Sequence, residues 1–157
     1  MITIDVNERV ERAMGYFKSG YNCAQAVVMA YNDIMEMSVE QVAKLTAPFG
    51  GGMGRMREVC GTVSGMAVLA GAIAPAVNPQ DLEERKQNYA LVQHFADEFR
   101  KENGDIVCRR LLGLEPMAER AETPMPSERT AEYYKKRPCV EYVGCAARIV
   151  GEYLATK

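Results

Sequence analysis

Apolar residues along this 157-residue chain recur at spacings of three and four, the period of helices with one buried face. Val6, Val10, Ala13, Met14 and Phe17 share the first such face, and Gly20 stops it. Asn22 is placed to cap a second helix whose stripe is Ala24, Val27, Val28, Tyr31 and Met35. Ser38 and Gln41 have the spacing of a capping box, and the third helix they open ends before Pro48. A fourth is expected from about Glu58 to Ala74, stopped by Pro75. Asn78 and Pro79 read as the cap and first residue of the longest helix. Its stripe is Leu82, Tyr89, Val92, Phe95, Ala96 and Phe99, and Gly104 marks its end. Ile106, Val107, Cys108, Leu111 and Leu112 form a short helix. The last helix starts at Pro138 and carries Val140, Val143, Ala147, Val150 and Leu154 on one side. Residues 116–127, with three prolines, read as a loop or partly ordered excursion. Strand signals are nearly absent. The pattern predicts an all-α, single-domain bundle (1–157) of about six or seven helices around a central apolar, glycine-containing helix.

The fourth segment changes the picture. From Val59 to Gln80 it carries no charge. It is rich in glycine, proline and small polar residues, which suits a helix buried on most sides better than a membrane span of ~20 apolar residues. No membrane partner is expected. The chain has 19 basic and 21 acidic side chains, a formal net charge of −2. That balance gives no electrostatic footprint for nucleic acid. The first fourteen residues are charged and amphipathic without an apolar signal core, so a cytoplasmic address is expected. In a reducing compartment cysteines are more often buried, metal-binding or catalytic than bridged. Ten methionines are compatible with a homo-oligomer, though no feature fixes one.

Five cysteines are present: Cys23, Cys60, Cys108, Cys139 and Cys145. Cys23, Cys60 and Cys139 fall in the first turns of expected helices, where the helix dipole stabilises a thiolate and lowers a thiol pKa. Cys108 shares a face with Leu111 and Leu112 and is expected to point inward. Cys145 lies with Glu141, Arg148 and Glu152 on the polar side of the last helix. Any of them can also be a small buried hydrophobe. There is no CxxC pair, so zinc-ribbon and thioredoxin signals are missing.

Seven of the thirteen glycines lie between Phe49 and Gly71. Gly51, Gly52 and Gly54 belong to a GGGMGR run that matches neither GxGxxG nor a P-loop. Gly61 and Gly65 make a smooth patch on the fourth helix, for close helix packing or for a wall beside Cys60 that borders a cofactor or second thiol. Arg55, Arg57 and Glu58 flank that cysteine. His94, the sole histidine, reads as solvated beside Gln87, Asp97 and Lys101, which leaves little support for a Cys–His pair.

GYNCAQAV around Cys23, FGGGMGR leading to CGTVSG at Cys60 through Gly65, the single Cys108, and RPCVEYV around Cys139 together are distinctive. Over about residues 10–155 the chain resembles the redox-active proteins named for the pattern C-GCAxxG-C-C. Thr62 stands where the motif has alanine, and Cys145 is additional to the family's four cysteines. The resemblance implies an all-α fold and a thiol or iron–sulfur redox role. A similar four-cysteine domain accompanies the haem part of split-Soret-type cytochromes, where an iron–sulfur cluster is the implied cofactor. This chain has no CxxCH, so covalent haem is not expected.

Three functions follow as expectations. Cys23, Cys60, Cys108 and Cys139 ligate an iron–sulfur cluster for electron transfer or redox sensing with an unknown redox partner, Gly51, Gly52, Gly54, Gly61 and Gly65 bordering it. Alternatively the same thiols catalyse thiol–disulfide exchange, or the chain is a zinc-binding or purely structural helical module.

Overall fold

A computed structural model describes residues 2–114 and 123–157. Among them, leaving out Gly50–Met53, whose Gly51 and Gly52 have non-helical φ and ψ, are eight α-helices: α1 (Val6–Lys18), α2 (Cys23–Met29), α3 (Val39–Thr46), α4 (Gly61–Ile73), α5 (Leu82–Asn103), α6 (Cys108–Leu111), α7 (Ala131–Lys136) and α8 (Cys139–Ala155). The chain is all-α as expected. The expected excursion at 116–127 falls partly on residues 115–122, outside the described ones.

Local chemistry sets the helix ends. Asp5 opens α1 by accepting from the Glu8 N–H. Gly20, at φ 120°, closes it, with Gly20 N bonded to Phe17 O and Tyr21 N to Tyr16 O. That pair of reversed bonds is a Schellman motif, and it delivers the chain directly into α2. Asn22 and Gln25 form a full capping box on α2, and Ser38 and Gln41 form another on α3.

Three sequence expectations shift. The cap of α5 is Asp81, which accepts from Glu84 N, and not Asn78. Asn78 instead closes a turn on Gln80 N, and its own N–H is held by Glu84, so Pro79 lies outside the helix. The buried face of α5 is Leu91, Phe95 and Phe99, which leaves Leu82 and Tyr89 exposed. Residues 58–60 are extended rather than helical, because Val59 pairs with Val107 in an antiparallel bridge.

The core sits between α1, α2, α4, α5 and α8. α1 runs along α8, α2 is wedged between α1, α3, α4 and α8, and α5 covers α4 and α8. Tyr31, Phe95, Phe99, Met29, Met66 and Leu69 are its largest fully buried side chains. The Tyr31 hydroxyl donates to Ala147 O at 2.6 Å, satisfying its one polar atom in the core. Arg9, also buried, forms a bidentate pair with Asp33 at 2.6 and 2.7 Å and donates to Ala30 O.

Candidate functional site

Each of the four motif cysteines stands at the start of a different helix. Cys23, Cys108 and Cys139 are the first residues of α2, α6 and α8, and Cys60 is the N-cap of α4. The sequence placed three of them at helix starts; the structure adds Cys108. All four line one cavity of about 380 Å³. All five cysteines of the chain are free thiols.

Three local devices bring these helix starts together. The first is the bridge between Val59 and Val107, in which Cys60 N donates to Ile106 O at 2.7 Å and Cys108 N to Glu58 O at 2.6 Å. Cys60 and Cys108 each follow a bridged residue, so the pleat turns both side chains to the same face.

The second is the glycine turn. Gly51, Gly52, Met53, Gly54 and Arg55 all have φ between 57° and 70° or at 71°, a left-handed turn, and Arg57 follows at 61°. Left-handed backbone costs a non-glycine residue about 1–2 kcal/mol, so Met53, Arg55 and Arg57 are held there by their surroundings. The bonds that hold them are Arg55 N to Gly50 O, Arg57 N to Gly51 O and Glu58 N to Gly52 O, at 3.2, 3.1 and 2.9 Å. Gly52 has no room for a side chain: a Cβ would lie 2.7 Å from the Cys108 Cβ and 2.7 Å from Glu58 N. The turn thereby sets the backbone of Gly51 against the Cys23 sulfur and Arg57 against the Cys108 sulfur, with Nη1 3.7 Å from Sγ.

The third is the approach of α4 to α2. Gly61 has Cys23 Sγ where a side chain would stand, with the Phe49 carbonyl oxygen 2.9 Å from the same point. At Gly65 a Cβ would be 3.3 Å from Ala24 O. The glycines thus allow α4 to pack tightly on α2, with the Cys23 sulfur against Gly61.

Of the glycines expected at the site, Gly51, Gly54 and Gly61 line the cavity, while Gly52 and Gly65 do not. Gly52 supports it from behind Cys108, and Gly65 from the α2–α4 contact.

Cys23, Cys60 and Cys139 are not lowered by their helix starts. Burial pushes Cys23, Cys60 and Cys139 up, Cys139 to about 12. Against burial act the Gly51 N–H at Cys23, the Thr62 hydroxyl 3.1 Å from Cys60 Sγ, and Arg137 and Arg57 near Cys139. Desolvation wins because a thiolate in an apolar wall loses more hydration than a few N–H groups restore. Thr62, the residue that departs from the motif's alanine, is thus a polar neighbour of Cys60.

Cys145 is elsewhere. Its Sγ donates to Glu102 at 2.9 Å and receives Asn103, and burial and Glu102 push it up to about 11. His94 is exposed, with its ring 5.9 Å from Tyr153. Among the described residues no group of three His, Cys, Asp or Glu side chains stands close enough to hold a single metal ion.

The sequence did not point to the rest of the lining. Phe17, Tyr133, Pro124, Pro126 and Arg129 come from segments with no chemical motif, and Tyr142, though within RPCVEYV, was not singled out. Arg137 precedes Pro138 and Cys139, and its neighbourhood was the only signal for it. The segment 123–130 is strapped across the cavity: Arg55 donates to Thr123 O and Ser127 Oγ, and Arg129 reaches the carbonyls of Phe17 and Tyr21.

No helix among the described residues is long and apolar enough to cross a membrane. No curated protein and no solved structure matches the chain. The family model described as "Putative redox-active protein (C_GCAxxG_C_C)" matches residues 21–153, and the chain belongs to that family.

Proposed function

We propose that this member of the C_GCAxxG_C_C family is a cytoplasmic redox protein that holds an iron–sulfur cluster on Cys23, Cys60, Cys108 and Cys139. The observation that carries the reading is the convergence of four thiols, each at a separate helix start, on one cavity. Four cysteine thiolates are the usual donor set for such clusters. Helix starts and backbone N–H groups offset the negative charge that the thiolates bring. When bound, the cluster supplies one-electron chemistry for electron transfer or redox sensing. The chain's residues hold it, exclude water and set its potential through hydrogen bonds to sulfur. Arg57 beside Cys108 and Thr62 beside Cys60 support that reading.

Two observations favour this over thiol–disulfide exchange and over a single zinc ion. A thiol–disulfide enzyme needs a thiolate near neutral pH. Burial instead pushes Cys23, Cys60 and Cys139 up. A single zinc ion at about 2.3 Å from each sulfur needs its ligands within about 3.8 Å of one another. Among the described residues no three candidate ligands are grouped for one ion, whereas a polynuclear cluster accepts thiolates spread around a larger body.

The test is anaerobic purification and reconstitution, with iron and sulfide analysis and a visible spectrum. Stoichiometric iron and sulfide with charge-transfer absorption is expected, and serine at any of the four cysteines should reduce it. A carefully reconstituted protein that stays colourless and iron-free sinks the proposal.

A further inference from the structure

The thiols explain only part of this cavity. Arg55, Arg57, Arg129 and Arg137 also line it, and no Asp, Glu or Lys does among the described residues. This is notable in a chain whose acidic residues outnumber its basic ones. Arg129 donates to the carbonyls of Phe17 and Tyr21 and stacks on the Phe17 ring, 4.1 Å from its centroid. Arg137 lies 5.6 Å from the centroid of Tyr133. Among the described residues Arg129 thus meets two carbonyls and a ring face and Arg137 a ring face, none of which cancels a positive charge.

The same wall is apolar. Phe17, Tyr133, Tyr142, Leu111, Pro124 and Pro126 contribute to it. Ligand pockets of about 300–1,000 Å³ combine such apolar walls with a few convergent polar groups. At about 380 Å³ this cavity is at the small end of that range. Guanidinium groups recognise carboxylate, phosphate and sulfonate through charge-assisted hydrogen bonds.

We infer that the cavity binds a small organic anion with an apolar body, its charge held by Arg129 and Arg137 and its body packed on Phe17 and Tyr133, beside the four thiols. The inference goes beyond the cluster reading and does not depend on it, since none of these four side chains is a proposed ligand.

The test uses the full chain, metal-free, reduced and anaerobic, with two fluorescent probes. 1-Anilinonaphthalene-8-sulfonate carries the anion, and N-phenyl-1-naphthylamine has the same aromatic body without it. Saturable binding of the sulfonate, one per chain, is expected, with the neutral probe at least ~10-fold weaker. Arg129→Gln and Arg137→Gln should each weaken the sulfonate by ~10-fold or more and leave the neutral probe unchanged. Arg148→Gln, on the far groove with Glu102 and Glu152, should change neither. Circular dichroism checks that each variant folds. If Arg129→Gln does not, Arg137→Gln decides, because the described contact of the Arg137 side chain is a single ring face and its backbone bond to Tyr133 O is untouched by the exchange. Absence of saturable sulfonate binding, equal affinity for the two probes, or an unchanged affinity in folded Arg137→Gln overturns the inference. Arginine-dependent binding in a chain that never takes up iron overturns the cluster reading alone, and iron uptake without anion binding overturns this one alone.

Discussion

Replacing Gly61 by alanine tests whether the close approach of α4 to α2 builds the thiol site. Gly61 is the first residue of α4 and is not in the left-handed region, so alanine meets no backbone strain. Taken alone, the exchange would favour the helix by up to about 1 kcal/mol. The new Cβ, however, lands on Cys23 Sγ and comes to 2.9 Å from the Phe49 carbonyl oxygen and 3.3 Å from Ala24 N. Two of those three atoms are backbone and cannot rotate away. Overpacking of this kind costs about 1–3 kcal/mol. The net expectation is a loss of about 1–2 kcal/mol, which in a chain of this size lowers Tm by roughly 2–8 °C. Gly71 is the control: it lies in the same helix, is exposed, and has nothing within 4 Å of its would-be Cβ. Gly71→Ala should stabilise by about 0.5–1 kcal/mol. The assay is thermal unfolding by circular dichroism on metal-free, reduced protein. In a Cys23→Ala background the cost of Gly61→Ala should shrink by about 1 kcal/mol, since the sulfur is gone. Iron loading of Gly61→Ala should fall as well, because relief of the clash displaces Cys23. A Gly61→Ala chain as stable as Gly71→Ala, and loaded as fully as the parent, refutes the reasoning.

Cys145→Ser should leave iron and sulfide content unchanged, since Cys145 bonds Glu102 outside the cavity; a loss equal to that of Cys60→Ser would place it in the site. Alkylation of the metal-free chain by iodoacetamide should be slow at pH 7–8 and accelerate at higher pH, because burial raises the thiols. The same shift predicts that stability falls with pH. Between the ~8.5 of an unfolded thiol and the about 12 of Cys139, the folded chain keeps a proton that the unfolded chain has lost. Cys139→Ala should flatten that fall in urea midpoints between pH 8 and 11. Asp33→Asn should cost about 1–3 kcal/mol at pH 7, as buried Arg9 loses its charged partner. The Arg9 bond holds the Asp33 carboxyl below its usual range, so this contribution is present above ~4 and is lost as pH falls below it. A difference between Asp33→Asn and parent that persists unchanged to pH 2 would contradict that.

Helices α1, α2, α3 and α8 were legible from local rules. The caps of α1, α2 and α3 are side chains three residues from the N–H they bind, and the stripes of all four helices repeat within one turn. The start of α5 was misread because Asn78-Pro79 has the local form of a cap, while Asp81 wins by bonding Glu84 N. The extended stretch before α4 was misread for a different reason. Residues 58–60 are drawn out by pairing with Ile106 and Cys108, almost fifty residues away, and no local periodicity carries that contact.

The site divides along the same line. From the sequence, the family resemblance pointed to Cys23, Cys60, Cys108 and Cys139 as a set and helix phase set Cys145 apart, because motif residues and helix phase are properties of short segments. The sequence also marked Gly61 and Gly65 as a place of close approach. Only the tertiary structure decided that the four thiols share one cavity, that Cys108 too begins a helix, and that Arg129 and Arg137 face the same space. It also reversed the expected direction of the thiol pKa values. A helix start is local and readable in sequence. Desolvation depends on what distant segments cover, and here it is the larger effect.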